Sequence, residues 1–317
     1  MALLEARDLC HSYGDRKVLD GLSFEIQRGE VFGFLGPNGA GKTTTFQLLT
    51  GLLTAQSGEL RLEGRKVVLG DRRLRLKLGV VFQSPSLDQK LTARENLALG
   101  AALYAVPRKA ARERVARLLD FAELSDRADE PVQRFSGGMR RRLELARALV
   151  HSPEILILDE PTSGLDEASF QRAWARLARL REEEGLTVLV TTHRPEEAER
   201  CQRLLVLHRG RAAACDSVEG LRGRVSGDVV TVDLGDGLEP ADAVRTLQEK
   251  LGLEARPGDR SVTIEHERGH EWIPRIVEAF PQGSLRAVNL RRPSLADVFL
   301  TLTGRALELD EAERKAA

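Results

Sequence analysis

A glycine-rich segment lies between a short apolar run and a run with helical periodicity. The three stretches are Val31–Leu35, then Gly36-Pro37-Asn38-Gly39-Ala40-Gly41-Lys42-Thr43-Thr44, then a periodic run that includes Phe46, Leu48 and Leu49. This order predicts a strand, a loop and a helix, and the loop fits the spacing G-x-x-x-x-G-K-S/T. Glycines let successive backbone N–H groups turn toward phosphate oxygens, and the helix N-terminus adds its dipole. The segment therefore predicts a nucleoside triphosphate site, in which Lys42 contacts the phosphates and the Thr43 hydroxyl binds Mg²⁺. The alternative is a glycine-rich turn that merely carries a lysine.

The composition indicates a globular chain of about two domains. Its 317 residues exceed the usual size of one domain, and 42% hydrophobic residues suffice for packed cores. Lysine and arginine together number 48, as do aspartate and glutamate, so the formal net charge is +0 and no overall field draws the chain to nucleic acid or anionic lipid. Cys10, Cys201 and Cys215 are far apart and odd in number, which favours a reducing compartment over a disulfide framework or a zinc site.

The sequence does not predict a membrane-spanning segment. No apolar stretch reaches the roughly 18 residues that a spanning helix needs. Residues 1–7 also carry charge too early for a signal peptide. We therefore expect the chain itself to be soluble.

Polar side chains follow three apolar runs that we predict to be strands. Gln83 follows the first run, Asp159 and Glu160 follow the second, and His193 follows the third. The carboxyl ends of parallel strands are the usual place for chemistry. Asp159 suits a ligand of Mg²⁺, Glu160 a general base, Gln83 a contact with a metal-bound water, and His193 a hydrogen bond to a terminal phosphate. Taken singly, each residue also fits a structural role, such as an exposed loop glutamine or a structural histidine.

Two further segments are candidates for nucleotide contacts. Tyr13 lies on a turn between residues 3–9 and 18–26, which alternate as antiparallel strands do, and its ring fits either stacking on a purine or packing at a strand end. Helical periodicity runs over residues 92–128, and another helix resumes after Ser136-Gly137-Gly138 with three arginines in its first turn. Cations there oppose the helix dipole, so the pattern favours either a nearby anion or an N-cap serine followed by a solvated basic face.

These motifs, in this order and at these intervals, resemble those of the ATP-binding subunit of ABC transporters over residues 3–213. The resemblance makes residues 36–44 the Walker A loop, residues 155–160 Walker B and residues 163–166 the D-loop with Asp166. It makes Ser136-Gly137-Gly138 the core of the signature motif. Among single residues, it makes Tyr13 the A-loop aromatic, Gln83 the Q-loop and His193 the switch histidine. It implies a P-loop NTPase α/β fold with an antiparallel β subdomain and a helical subdomain at about residues 92–150. It also implies ATP and Mg²⁺ as cofactors, with Thr43, Gln83 and Asp159 at the metal and with Glu160, Gln83 and His193 as catalytic residues.

The same resemblance implies partners and a location. Two copies would clamp ATP between the phosphate loop of one and the signature motif of the other. A membrane-spanning permease would be the transport partner, no nucleic acid partner is expected, and the chain would lie peripherally on the cytoplasmic face of the membrane. One alternative is a soluble ABC ATPase that acts on ribosomes or nucleic acid, although such proteins typically resemble tandem or coiled-coil-interrupted versions. Another is a purely regulatory module, against which intact Lys42, Asp159, Glu160 and His193 argue.

Departures from the usual motifs refine this expectation. Phe135 and Met139 stand where the usual signature has leucine and glutamine, and this version resembles the branch that includes drug-resistance exporters. The segment 292–305 is similar to the ending of the same subfamily. We therefore expect export of a drug-like compound, an antibiotic or a lipid-like molecule. Glu167 stands where the family commonly has proline, so we expect a local difference in the turn after the D-loop and no effect on a catalytic residue.

Beyond residue 213 the pattern changes. We predict an ATP-binding domain at residues 1–213, a linker at 214–226 and a C-terminal regulatory or assembly domain at 227–317. Strands at 228–234, 261–265 and 285–290 with helices at 240–251 and 272–280 indicate a small α/β domain, with a ferredoxin-like fold as the candidate.

The segment His266-Glu267-Arg268-Gly269-His270 fits the zinc motif H-E-x-x-H. It begins at a strand end, however, and Gly269 would cost about 1 kcal/mol inside a helix. We therefore do not expect a metalloprotease.

Overall fold

The computed structural model describes residues 2–67, 71–84, 86–161, 167–225, 227–266, 268–304 and 307. One compact unit runs to Ser217 and a second begins at Val218. The strands of the first unit are β1 (Ala2–Tyr13), β2 (Arg16–Gln27), β3 (Val31–Leu35), β4 (Ser57–Leu62), β5 (Arg65–Val67), β6 (Leu78–Val81), β7 (Ile155–Asp159), β8 (Thr187–Thr192), β9 (Arg203–His208) and β10 (Arg211–Ser217). Its helices are α1 (Lys42–Thr50), α2 (Arg72–Lys77), α3 (Ala93–Leu103), α4 (Arg108–Phe121), α5 (Gly137–Ala148), α6 (Glu167–Glu184) and α7 (Pro195–Ala198).

In the described part of the first unit, six strands form a central sheet in the order β10-β9-β3-β8-β7-β6. Strands β9, β3, β8, β7 and β6 run parallel, and β10 pairs antiparallel with β9 at the edge. Every residue of β3, β7 and β8 is buried, as expected for parallel strands that are covered on both faces. The carboxyl ends of β3, β6, β7 and β8 therefore meet at one edge of the sheet, directly before the predicted site residues.

A second sheet of four described strands is antiparallel and has the order β2-β1-β4-β5. The prediction of antiparallel strands at the start of the chain is thus confirmed. Apolar residues of this sheet, among them Leu4, Leu22 and Ile26, share one buried core with Phe32 and Phe34 of β3. Because the core is continuous, the hairpin between β1 and β2 has a fixed position relative to the central sheet.

Helices α3, α4 and α5 lie within the predicted helical region at residues 92–150. Thr92 begins α3 with a capping box: its hydroxyl accepts from the Glu95 N–H at 3.1 Å, and the Glu95 carboxylate accepts from the Thr92 N–H at 2.8 Å. Ser136 is the N-cap of α5, and its hydroxyl accepts from the Met139 N–H at 3.2 Å. The predicted signature motif therefore lies at the N-terminus of α5.

The second unit contains α8 (Val218–Arg222), β11 (Asp228–Leu234), α9 (Pro240–Leu251), β12 (Ala255–Pro257), β13 (Ser261–His266), α10 (Gly269–Ala279), β14 (Leu285–Arg291) and α11 (Leu295–Thr303). Its four described strands form an antiparallel sheet in the order β12-β13-β11-β14. The succession β-α-β-β-α-β with this strand order is the ferredoxin-like arrangement, as predicted. Val230, Ile264, Leu247 and Ile276 bring β11, β13, α9 and α10 into one core.

Several predicted boundaries differ from the structure. The predicted linker at 214–226 is wrong, because its first residues belong to β10 and the next ones to α8. Strand β10 lies at the sheet edge and is largely exposed, so its sequence lacks the apolar alternation that would have indicated a strand. Strand β5 and helix α2 were not predicted, since both are too short to show a period. The sequence also predicts a helix at residues 195–203, but α7 is limited to Pro195–Ala198.

The H-E-x-x-H segment does not form a helical zinc motif. His266 is the last residue of β13 and His270 lies in α10, so the two histidines do not share one helix face; Glu267 lies outside the described residues. Across the described ranges, no group of three or more His, Cys, Asp or Glu side chains could hold a metal ion. Within the same ranges, no helix combines the length and the apolar character required to cross a membrane.

Gly79 lets α5 approach the central sheet closely. A Cβ atom at this position in β6 would lie 2.4 Å from the carbonyl oxygen of Ala148, the last residue of α5, and 3.0 Å from Pro153. We expect Gly79→Ala to destabilise the first unit by about 1–3 kcal/mol, because the backbone must shift to admit the methyl group. Circular dichroism during heating should show a lower unfolding midpoint.

The matched control for this prediction is Gly223→Ala. There the nearest atom would lie 3.5 Å from the added Cβ, which is ordinary van der Waals contact. Its midpoint should be unchanged or slightly higher, because alanine restricts the unfolded chain more than glycine does. If both variants unfolded at the wild-type temperature, close packing of α5 on β6 would not be important for stability.

Candidate functional site

A cavity of about 500 Å³ opens in the first unit where the central strands end. It is lined by residues of the phosphate loop, the β1–β2 hairpin and the segments that follow β6, β7 and β8. These residues are Tyr13, Arg16, Val18, Asn38, Gly39, Gly41, Lys42, Thr43, Thr44, Gln83, Glu160 and His193. The structure therefore places the three predicted catalytic residues and the predicted purine-stacking tyrosine around one cavity. Gly36, Pro37 and Ala40 belong to the loop but are not among the lining residues.

The backbone conformation of the phosphate loop requires glycine, and the Lys42 side chain stabilises the loop by hydrogen bonds to its backbone. Gly41, the residue before α1, has a φ angle of 109°. A Cβ atom on Gly36 would lie 2.4 Å from the carbonyl oxygen of Leu207. The Lys42 side chain is buried, and its Nζ donates to the carbonyl oxygens of Gly36 at 2.6 Å and Pro37 at 3.1 Å. The ammonium group and the positive end of α1 thus face the same cavity, which suits a chain of phosphates.

Tyr13 lies at the rim of the cavity with 49% of its surface exposed. Its hydroxyl donates to Oε1 of Gln47 in α1 at 3.2 Å, and the His11 ring contacts it edge-on with centroids 4.8 Å apart. These contacts fix the ring and leave an open aromatic face, which is the geometry required for stacking on a purine. Arg16 lines the same cavity and was not identified from the sequence, although its place in the same hairpin as Tyr13 was an available signal.

The Glu160 carboxylate is held from two sides at the cavity wall. Gln83 Nε2 donates to one carboxylate oxygen at 2.9 Å, and His193 Nδ1 donates to the other at 3.1 Å. The hydrogen bond from His193 lowers the pKa of Glu160, so the carboxylate is ionised at neutral pH. The Glu160 backbone has a φ angle of 45°, a left-handed conformation that costs a non-glycine residue about 1–3 kcal/mol. Its N–H donates to the carbonyl oxygen of Thr191 at 3.1 Å, which helps to hold this turn.

Asp159, the last residue of β7, is buried next to Glu160. The Thr191 hydroxyl donates a hydrogen bond to its Oδ1. Burial raises the pKa of Asp159, whereas the pKa of Glu160 is lowered. The environments of the two neighbouring carboxyl groups therefore shift their pKa values in opposite directions, Asp159 toward the neutral form and Glu160 toward the ionised form. Sequence reasoning assigned no role to Thr191, because its only signal was a hydroxyl near the end of β8.

The oxygen donors predicted for Mg²⁺ lie at or next to the cavity. Thr43 and Gln83 line it, and Asp159 directly precedes Glu160. Hydroxyl, amide and carboxylate oxygens are the hard donors that Mg²⁺ prefers. This ion usually takes one or two carboxylates together with substrate phosphates rather than a cage of protein ligands, so this sparse donor set fits it.

One predicted part of the site, the signature motif, does not line this cavity. Ser136, Gly137 and Gly138 do not line it, and the first two are exposed at the start of α5. Asp166 lies outside the described residues. Neither alternative for the three arginines describes Arg141, because its guanidinium donates to backbone carbonyl oxygens and to the Glu144 carboxylate of the same chain rather than facing a bound anion or solvent.

The raised pKa of Asp159 generates a pH-dependent prediction. A protonated carboxyl group cannot ligate Mg²⁺, so apparent Mg²⁺ affinity should fall as the pH is lowered toward that pKa. Thr191→Val removes the hydroxyl that favours the ionised form, and the pKa of Asp159 should rise further. We expect the Mg²⁺ concentration for half-maximal ATP hydrolysis to increase about tenfold, and more at pH 6 than at pH 8, since a hydrogen bond to a charged group contributes about 1.5–3 kcal/mol.

The control is Thr187→Val at the opposite end of β8, where the hydroxyl accepts from the Gly29 N–H at 2.9 Å. That variant should leave the pH dependence of Mg²⁺ activation unchanged. If Thr191→Val showed the wild-type Mg²⁺ requirement at both pH values, Asp159 would not be tuned by Thr191.

Comparison with known proteins points to one family. The sequence pattern of the ABC transporter family matches residues 19–163. The chain is 41% identical over 309 residues to the Nod factor export ATP-binding protein I of Cupriavidus metallidurans, and the match covers 96% of this chain and 99% of that protein.

Solved structures agree with that family. The ATP-binding subunit of an ABC transporter is 31% identical with a TM-score of 0.64, and the match covers 70% of this chain and 92% of that one. A dimeric ATP-binding cassette in a post-hydrolysis state, bound to ADP and Pi, is 29% identical with a TM-score of 0.61, and the match covers 68% of this chain and 98% of that one. This chain therefore belongs to the ATP-binding subunits of ABC transporters, which are ATPases that use ATP with Mg²⁺ and are coupled to transport.

Proposed function

We propose that this chain hydrolyses ATP as a homodimer and thereby energises export of a substrate through a separate membrane-spanning partner. The observation that carries the proposal is the Glu160 carboxylate, which Gln83 and His193 hold at the wall of the cavity that also contains Lys42. Export is supported by the name of the relative from Cupriavidus metallidurans, which is similar over 96% of this chain.

The residues around the cavity take distinct roles in hydrolysis. Lys42 and the backbone N–H groups of the loop bind the phosphates, and the Tyr13 ring stacks on the adenine. Glu160 accepts a proton from the attacking water, and His193 donates a hydrogen bond near the terminal phosphate. Thr43, Gln83 and Asp159 would hold Mg²⁺, and the bound ion would neutralise phosphate charge.

The signature motif supports a dimer. Ser136 and Gly137 are exposed at the N-terminus of α5 and do not line the cavity of their own chain, so they are free to meet a nucleotide held by a second copy. The N-terminus of α5 adds a favourable dipole for such an anion. The structural neighbour bound to ADP and Pi is a dimer, which is consistent with this arrangement. We also propose that Asp166, which lies outside the described residues, belongs to the D-loop, as the family resemblance implies.

An apolar cleft in the first unit is our candidate docking site for the membrane-spanning permease. The cleft has a volume of about 290 Å³ and lies between the sheet and α3, with Phe82 among its lining residues. Leu52, Leu99 and Leu103, which all line this cleft, are 63%, 47% and 77% exposed, and grouped exposed apolar side chains are typical of interaction sites. Because Phe82 directly precedes Gln83, a partner bound in this cleft would contact the residue next to a proposed catalytic side chain. We further propose, as the family resemblance implies, that the chain lies peripherally on the cytoplasmic face of the membrane.

The exported substrate is proposed only by class. Phe135 and Met139 match the drug-exporter version of the signature motif, which favours a drug-like compound, an antibiotic or a lipid-like molecule. The relatives named for Nod factor export add that molecule as a candidate. A soluble ABC ATPase that acts on ribosomes or nucleic acid is not favoured, because an export protein is similar over almost the whole chain.

For the second unit we propose regulation or assembly rather than chemistry. Its fold is ferredoxin-like, and its described residues contain no cluster that could hold a metal ion. We propose that ATP binding belongs to the unit that runs to Ser217 and that the regulatory or assembly role belongs to the unit that begins at Val218.

Glu160→Gln tests the proposed base. The amide keeps the size of the side chain but cannot accept the proton, so we expect kcat to fall by about 10²- to 10⁴-fold while ATP still binds. ATP-dependent dimers should also persist, visible by gel filtration. Glu183→Gln, the same change at an exposed position of α6, should hydrolyse ATP normally. Wild-type turnover in Glu160→Gln would remove the proposed role of Glu160.

Ser136→Arg tests the dimer. The larger, charged side chain should prevent closure over a nucleotide of the second copy, so hydrolysis should be lost while a single chain binds ATP with unchanged affinity. Ser125→Arg, the same change at another exposed serine of the helical region, should keep hydrolysis. If fluorescence titration showed that ATP affinity fell as much as activity in Ser136→Arg, Ser136 would belong to the nucleotide site of its own chain.

A further inference from the structure

Arg141, the fifth residue of α5, donates hydrogen bonds to four backbone carbonyl oxygens at the ends of two strands. Nη1 donates to Phe82 at 2.6 Å and Nε donates to Pro161 at 2.9 Å. Nη2 donates to Asp159 at 3.2 Å and to Glu160 at 3.3 Å. The side chain is only 17% exposed. One guanidinium group therefore connects the start of α5 to the segments that follow β6 and β7.

These four carbonyl groups flank the residues that hold the site together. Phe82 immediately precedes Gln83, and the other three acceptors are Glu160 and its two neighbours. The Glu160 backbone is left-handed, and Thr191 holds its N–H from one side. Arg141 holds its carbonyl group from the other side, so the conformation that aims the Glu160 side chain is fixed at both ends of the residue.

The contact continues along one face of α5. The Glu144 carboxylate accepts from Arg141 Nη1 at 3.3 Å and from the Ser86 N–H at 2.6 Å. Arg147 Nη1 then donates to the Ser86 carbonyl oxygen at 2.7 Å. Residues three apart lie on one helix face, so these three side chains form a polar row that holds both ends of the segment 82–86. Glu144 is only 4% exposed, and its two partners compensate for burial of its charge.

We propose that Arg141 is a positioning residue that ties the orientation of α5 to the placement of Glu160 and Gln83. Because Ser136 caps the same helix, a displacement of the signature motif reaches the carboxylate of the same chain through this guanidinium. Arginine suits the task because its planar group presents five N–H donors in fixed directions, whereas lysine has one nitrogen with three donors. The inference rests on the role of Glu160 in the proposed function.

The test compares Arg141→Gln and Arg141→Lys with the wild-type chain. Small displacements of a catalytic group can cost about 10²-fold, so kcat should fall by roughly that factor in Arg141→Gln and less in Arg141→Lys, which retains the charge and part of the hydrogen bonding. ATP affinity by fluorescence titration should stay within about twofold, since Arg141 does not line the nucleotide cavity. Arg179→Gln, which removes an exposed arginine from α6, is the control and should keep wild-type kcat.

A double variant separates positioning from a merely structural role. If Arg141 acts through Glu160, adding Arg141→Gln to Glu160→Gln should lower the residual single-turnover rate by less than about threefold, because residues that act as a unit are not additive. The full single-variant loss in that background would overturn the inference, as would wild-type kcat in Arg141→Gln. If Glu160→Gln alone hydrolysed ATP normally, the proposed function would fail instead.

Folding of the variants is checked by circular dichroism. Should Arg141→Gln fail to fold, Arg141→Lys and Glu144→Gln carry the test, and both should lower kcat with ATP affinity preserved. Loss of ATP affinity in proportion to kcat in those variants would show that Arg141 only maintains the fold, and the inference would be wrong.

Discussion

Two adjacent carboxylates at the end of a buried strand set the main physical constraint on the first unit. Strand β7 is buried up to Asp159, so Glu160 and Asp159 lie at a poorly solvated edge where unpaired charge is costly. Neighbouring elements supply the partners: Thr191 and His193 come from β8 and its end, and Gln83 follows β6. Because β6 and β8 lie on either side of β7, each carboxylate finds its donors one strand away. The strand order thus sets which donors each carboxylate receives, and the donor from His193 lowers the pKa of Glu160 whereas burial raises that of Asp159.

The parts of the site that could be predicted from the sequence are those whose chemistry is contained in one short segment. The phosphate loop has its glycines, lysine and threonine within residues 36–44, and a strand that ends in Asp159 and Glu160 is visible without any partner. The contacts of Thr191 and Arg141 were not predictable in this way. Thr191 is 32 positions from its partner Asp159, and Arg141 is 59 positions from its partner Phe82. No local spacing in the sequence encodes pairs this far apart.

The fold shows the same division between local and distant information. The ferredoxin-like second unit was predictable because β11 and β13 alternate buried and partly exposed residues and α9 has a clear apolar face. Strand β10 was missed because it forms through pairing with β9, while most of its own side chains are exposed or half-buried. An edge strand is stabilised by backbone hydrogen bonds to its neighbour, and these leave little trace in the pattern of side chains.

Helix α5 is attached to the central sheet at two points by two different interactions. At its C-terminal end, Gly79 allows the Ala148 carbonyl group to pack directly on β6, and at its N-terminal end Arg141 bonds the carbonyl groups that follow β6 and β7. The two points are about 10 Å apart along the helix at 1.5 Å per residue. A single attachment would leave the helix free to pivot, but two attachments make rotation about either one strain the other. The signature motif at the start of α5 and the carboxylate at the end of β7 are therefore linked within the chain through both contacts, which the sequence encodes with a glycine at one end and an arginine at the other.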